Sequence, residues 1–153
     1  MTGAAEVAAG SAIALRLESA NAIIAGAISQ ARADGIPPLA VVVLDLSGHI
    51  VAAQRDDGAS MFRFDIARGK AWGAVAMGCS SAALAARAAD NPNFFNALGP
   101  TSAGRLLPQP GAVLIRDADG SLLGAVGASG GTGAEDAACC AAGVAAAGLV
   151  PEK

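Results

Sequence analysis

The chain has 153 residues, of which 54% are hydrophobic and 15% charged, and its formal net charge is −3. This length suits a single domain over residues 1–153, with residues 1–10 as a flexible N-terminus. The absence of a basic run argues against a nucleic-acid partner, and the apolar, weakly charged composition favours a homo-oligomer.

A first helix is predicted from Ser11, which can cap it, to about Arg32 or Asp34, because apolar residues recur there at spacings of three and four. The β-branched run Leu39–Leu44 predicts a strand buried on both faces. After a tight turn, Ile50–Gln54 completes a hairpin.

A second helix is expected to be capped by Asp65, to start at Ile66 and, with a break near Gly78, to continue to about Ala89. Residues 91–110 contain four prolines and are predicted to be a long irregular segment. Such a loop in a compact domain is usually functional or part of an interface.

The last part of the chain predicts a second hairpin, with strands Ala112–Arg116 and Leu122–Ala128. A glycine-rich corner, residues 127–133, leads into a final helix from Ala134 to about Ala147. The order α-ββ-α-loop-ββ-α predicts an α+β fold in which helices pack on an antiparallel sheet.

The cysteines and the N-terminus bear on cellular location. Cys79, Cys139 and Cys140 form an odd set that suits neither a disulfide framework nor a zinc site. Met1–Gly10 lacks the basic region of a secretory signal, and the uncharged apolar run 137–150 is shorter than the ~20 residues that span a bilayer. We therefore expect a cytoplasmic protein without a membrane partner.

Several segments together resemble the GlcG/HbpS-like family, which includes the C-terminal domain of PduO. The matching segments occur in family order over nearly the whole chain: Asp45-Leu-Ser-Gly-His-Ile-Val, Arg55-Asp-Asp-Gly-Ala, Asp65-Ile-Ala-Arg-Gly-Lys-Ala, Leu107-Pro-Gln-Pro-Gly, Val126-Gly-Ala-Ser-Gly-Gly and Ala134-Glu-Asp. The resemblance implies a profilin-like fold with an antiparallel sheet of about five strands, a homo-oligomer, and binding of heme or a related tetrapyrrole in some members. Asp56 and Ala112 depart from the family's usual methionine and glycine.

A ligand pocket is predicted around Met61, Phe62 and Phe64, because three of the five aromatic residues lie within residues 62–72. Apolar walls beside a few polar groups are typical of small-molecule sites. We expect Lys70 and two corners, Pro110–Gly111 and Gly130–Gly131, to complete the pocket. The alternative is a core edge beside a solvated loop.

Lys70 stands on a helix row that otherwise looks core-facing, between Ile66 and Ala74. It is either a lysine that snorkels to solvent or an amine that binds a ligand carboxylate, such as a heme propionate. In an alternative enzymatic hypothesis, Lys70 and Asp57 or Asp136 act as acid/base groups on a small metabolite.

His49 is the only histidine and a weak candidate for a heme-iron ligand; the other interpretation is an exposed turn residue. The segment Gly127-Ala-Ser-Gly-Gly matches G-x-S-x-G, but no histidine follows it, which argues against a hydrolase triad. Thr132 and Glu135 instead predict a capping box.

Overall fold

The computed structural model describes residues 14–153, so the predicted cap Ser11 and the predicted flexible segment 1–10 lie outside the described residues. The first helix, α1, spans Leu17–Ala33, and Arg16 precedes it in an extended conformation. The predicted C-terminal end of this helix is confirmed, because Asp34 forms its C-cap.

Within residues 14–153, five strands form one sheet in the order β2-β1-β4-β3-β5, and every neighbouring pair is antiparallel. This arrangement confirms the fold class predicted from the sequence. The bounds are β1 Ala40–Asp45, β2 Ile50–Arg55, β3 Ala112–Arg116, β4 Leu122–Ser129 and β5 Val150–Glu152.

In the described part of the chain, α1 is followed by α2 Met61–Met77, α3 Ser81–Asp90, α4 Pro92–Thr101 and α5 Gly133–Ala146. Two predictions were wrong here. Helix α2 begins after Ser60 rather than at Asp65, and residues 91–110 contain the ten-residue helix α4. Pro92 is compatible with α4 because the first helical position needs no N–H donor.

The helices form two layers on opposite faces of the sheet. Along β1, Val41 and Val43 face α1 and α5, whereas Val42 and Leu44 face α2. Side chains alternate along a strand, so covering both faces explains why this strand is apolar at every central position. None of the helices within residues 14–153 is long and apolar enough to cross a membrane.

Helix α2 lies unusually close to β4. A Cβ atom at Gly127 would stand 2.3 Å from the carbonyl oxygen of Ala67, so only glycine allows this approach. Just beyond the same, C-terminal end of β4, the predicted capping box is confirmed: Thr132 Oγ1 accepts from the Glu135 N–H, and Glu135 Oε1 accepts from the Thr132 N–H. These contacts fix where α2 and α5 stand relative to the strand ends.

Candidate functional site

Lys70, on α2, is buried with 5% of its surface exposed. Its Nζ donates hydrogen bonds to Asp136 Oδ2 and to the carbonyl oxygen of Ala128, both at 3.1 Å. Because α2 and α5 lie on opposite faces of the sheet, this ion pair passes the end of β4 and joins the two layers. Lys70 therefore does not snorkel to solvent.

Asp136 completes the cluster from α5. It is 1% exposed, and its second oxygen, Oδ1, accepts the N–H of Gly131 at 2.9 Å. A buried carboxylate is tolerated when it is both paired and hydrogen-bonded, as it is here.

Gly111 closes the cluster from the β3 side. A Cβ atom at this position would lie 2.6 Å from Lys70 Nζ, and its φ of +133° disfavours other residues. At the neighbouring corner, a Cβ atom on Gly133 would stand 2.8 Å from Pro110 Cβ. Of the predicted corners, Gly111 packs against Lys70 and Gly131 reaches its partner Asp136, whereas a Cβ atom at Gly130 would meet Pro38 and Leu39 instead. Lys70 lines none of the five clefts described for residues 14–153.

The predicted aromatic wall lies elsewhere, at the start of α2 and against the edge strand β2. A cleft of about 300 Å³, the Met61–Phe64 cleft, is lined by Ala53, Gln54, Arg55, Met61 and Phe64. Its wall is mainly apolar, and Arg55 supplies a cation. The structure thus separates the predicted site residues into a buried polar cluster and an open apolar cleft.

Two side chains at the mouth of this region are strongly exposed. Met61 is 78% exposed and Phe62 is 63% exposed. Phe64, in contrast, packs partly against the core between the sheet and α2. The neighbouring Arg63 bends away and donates to Ser129 Oγ at 3.2 Å. The predicted solvated loop is therefore the first turn of a helix that presents apolar side chains to solvent.

Asp57 follows the end of β2, and it does not line the Met61–Phe64 cleft. Together with Arg32 and Asp56 it lines a separate cleft of about 380 Å³, of which Arg55 is also part. Arg32 Nε donates to Asp56 Oδ2 at 3.1 Å, and this hydrogen bond lowers the pKa of Asp56. Asp56, the departure from the family pattern, thus forms an ion pair with Arg32 at the surface. Asp57 lines a cleft to which neither Lys70 nor Asp136 contributes.

His49 is exposed in the β1–β2 turn, where its backbone N–H donates to Asp45 Oδ1 at 3.0 Å. It precedes β2, whereas Arg55 ends that strand, so the two stand about 20 Å apart at the rise of a strand. The structure does not bring His49 to the Met61–Phe64 cleft. Within residues 14–153, no three His, Cys, Asp or Glu side chains are grouped so as to hold a metal ion.

The three cysteines are free thiols. Burial raises the pKa of the Cys139 thiol to about 11, and burial together with the charge of Asp136 raises that of Cys140 further. Both are protonated at neutral pH, so they serve as packing residues rather than nucleophiles or metal ligands.

A third cleft involves residues that the sequence interpretation did not assign to a site. This cleft, which we call the Trp72 cleft, has a volume of about 180 Å³. It is lined by Asp65, Arg68, Gly69 and Trp72 of α2 and by Gly104 and Arg105. The Arg105 guanidinium carbon lies 4.7 Å from the centroid of the Trp72 ring. No sequence motif marked Arg105, which precedes β3 in an irregular segment.

Comparison with known proteins gives a consistent family assignment. The model of the HbpS-like family, described as haem degrading protein HbpS-like, matches residues 15–145. No curated protein shows significant sequence similarity to the chain.

Solved structures share this architecture. The PduOC:heme complex superposes with a TM-score of 0.81 at 23% identity, covering 92% of this chain and 100% of the other. HbpS gives 0.74 at 28% identity over 86% and 89% of the two chains, and the Klebsiella pneumoniae protein ORFY gives 0.78 at 23% over 88% and 90%. Because the family model covers most of the chain and the fold agrees, this protein belongs to the HbpS-like family.

Proposed function

We propose that the protein binds heme or a related tetrapyrrole in the Met61–Phe64 cleft, and that it does so as a homo-oligomer. The observation that carries the proposal is the exposure of Met61 and Phe62 beside an apolar cleft that also contains a guanidinium. Membership of the HbpS-like family supports it, and one solved structure with this fold is a heme complex.

The residues of the cleft suit the chemistry of heme. Ala53, Met61 and Phe64 offer an apolar wall for a flat macrocycle, and Arg55 can bind a propionate with two parallel hydrogen bonds. If heme binds here, the thioether of Met61 is a group that could hold its iron, whereas His49 lies too far from the cleft. Bound heme would supply an iron centre capable of redox chemistry.

The size of the cleft supports the homo-oligomer. About 300 Å³ is at the lower end of the ~300–1000 Å³ typical of small-molecule pockets, and this cleft is open to solvent. One protomer would cover one face of a macrocycle. Phe62 is exposed at the rim of the cleft. There it would contact a second subunit that covers the other face of the macrocycle.

The enzymatic alternative has less support from this geometry. Its two central groups, Lys70 and Asp136, are buried and bound to each other, and the third, Asp57, lines a cleft that neither of them reaches. Acid/base chemistry needs groups within hydrogen-bonding reach of a substrate. We therefore propose binding rather than acid/base catalysis.

A heme titration tests the proposal. We expect a shifted Soret band at stoichiometric heme for the unaltered protein, and at least about tenfold weaker binding for Met61→Ser combined with Phe62→Ser, because apolar contact area is lost. Arg55→Gln should also weaken binding. Phe94→Ser, which alters an exposed phenylalanine on α4, is the matched control and should bind normally.

Each part of the proposal can fail separately. An unchanged spectrum with stoichiometric heme rejects heme binding, and a shifted band that Met61→Ser/Phe62→Ser leaves intact moves the site elsewhere. Sedimentation velocity that finds only monomers, with and without heme, rejects the homo-oligomer. Bleaching of the bound heme on addition of peroxide would extend the proposal to degradation.

A further inference from the structure

We propose a second ligand site in the Trp72 cleft, for a small organic acid that carries a hydroxyl or ammonium group near its carboxylate. The cleft is lined by one face of α2 and by Gly104–Arg105. It shares no lining residue with the Met61–Phe64 cleft, so the two proposals stand independently.

Arg105 is held in a fixed orientation. Its guanidinium stacks over Trp72, and its Nε donates to the carbonyl oxygen of Ser102 at 2.8 Å. Within residues 14–153 its terminal nitrogens make no hydrogen bond or ion pair. A planar fork that is oriented in this way and still free to donate is suited to bind a carboxylate.

The backbone before Arg105 adopts a rare conformation to place it there. Ala103 has φ +56°, the only positive value at a non-glycine residue in the described part of the chain, and Gly104 follows at +76°. The segment is attached to α2 by a hydrogen bond from the Leu107 N–H to the carbonyl oxygen of Gly69 at 3.2 Å. Disfavoured backbone conformations cluster at ligand sites, where surrounding contacts maintain them.

The charges of the cleft define the class of ligand. Arg68 and Arg105 bring two positive charges and Asp65 one negative charge, and none of the three forms an ion pair within residues 14–153. The two guanidinium groups suit a carboxylate, and the Asp65 carboxylate accepts from a hydroxyl or ammonium group. The volume of about 180 Å³ restricts the ligand to a molecule of a few carbon atoms.

Trp72 provides a direct readout, because it is the only tryptophan and the chain contains no tyrosine. Malate, succinate and aspartate are titrated separately at constant ionic strength, with sodium chloride as the reference. We expect saturable changes in Trp72 fluorescence with malate or aspartate at lower concentrations than with succinate, which lacks the second group. Changes that do not saturate, or that sodium chloride reproduces, overturn the proposal.

Variants then assign the roles. Arg105→Gln and Arg68→Gln should each weaken binding of the tighter probe about tenfold, since each removes a charge-assisted contact. Asp65→Ala, which removes the acceptor, should abolish the preference over succinate. Arg16→Gln, an exposed arginine just before α1, is the control and should bind normally.

Arg68 makes no side-chain hydrogen bond or ion pair in the described part of the chain, so Arg68→Gln tests binding without disturbing the Arg105 segment. Arginine Nε–H signals in NMR spectra give a second measurement on the unaltered protein. Wild-type affinity in both arginine variants overturns the proposal. Heme titrations of the same variants should be unchanged.

Discussion

Helix α2 reverses, within three turns, the usual distribution of polar and apolar side chains. Its first turn exposes Met61 and Phe62, whereas its middle buries Lys70. Lysine is among the residues least often buried, and exposed large apolar groups side by side often mark an interaction surface. The comparison between these two regions distinguishes side chains that stabilise the fold from side chains that are available to bind a partner.

The two regions differ in whether the side chains find hydrogen-bond partners or apolar contacts within the chain. Lys70 has a carboxylate and a carbonyl oxygen as partners, and the described residues contain no buried side-chain polar atom without one. Met61 and Phe62 remain in contact with water. A buried polar residue whose hydrogen-bond partners lie within the chain indicates a role in stability. Large apolar side chains that no part of the chain covers indicate a binding surface.

The largest effect is expected from Lys70→Met, because Asp136 would remain as a buried charge without its partner. We expect a loss of about 3–5 kcal/mol in the free energy of unfolding, measured by urea denaturation. Lys70→Met combined with Asp136→Asn should lose less than Lys70→Met alone, since both charges are then removed.

The chain offers a matched control in its other lysine, Lys153→Met, which should change stability by no more than about 0.5 kcal/mol. If Lys70→Met is no more destabilising than this control, the ion pair does not join the layers. The distinction between the two regions of α2 would then disappear.

A smaller effect is expected when the exposed pair is broken by Asp56→Asn, which sharpens the contrast with the buried pair. Arg32 lowers the pKa of Asp56 in the folded state, so the pair stabilises the protein above the pKa of the unfolded chain. This contribution is lost as the pH falls through the folded-state pKa. Urea denaturation should therefore separate Asp56→Asn slightly from wild type at neutral pH and not in strong acid; a separation that grows in acid would contradict this sign.

The smallest effect on stability is expected from Met61→Ser combined with Phe62→Ser. These side chains are mostly exposed already, so the free energy of unfolding of a monomer should change by no more than about 0.5 kcal/mol. Measurements at low protein concentration check this value. A loss comparable to that of Lys70→Met would mean that the first turn of α2 is part of the core.

The elements that follow a clear local pattern could be predicted from the sequence. The run Leu39–Leu44 and the two hairpins have the expected strand character, and Thr132 with Glu135 marked the start of α5 correctly. These features depend on residues close together in the chain.

Other features depend on tertiary contacts and were missed. The prolines of residues 91–110 concealed α4, in which Pro92 occupies the first turn and Pro100 the last. The three-residue edge strand β5 carries Pro151, which weakens any strand signal. Its pairing with β3 follows only from the fold.

The candidate site shows the same limit. The spacing of Lys70 with Ile66 and Ala74 indicated a row that looks core-facing but left open whether the lysine snorkels to solvent; the structure buries it. Its partner, Asp136, lies sixty-six positions later, and no local pattern joins them. The sequence did not show that Lys70 and the Met61–Phe64 cleft are separate sites, because residues of both lie on the same helix, α2.

The ion pair between Lys70 and Asp136 has a consequence for how the molecule comes apart. If one helical layer detached from the sheet alone, each charge would lose its partner while part of the surrounding structure still excluded water. Partial opening at this end of β4 is therefore penalised. The two layers should unfold as one cooperative unit, with the amides of α2 and α5 exchanging their hydrogens through a shared opening event.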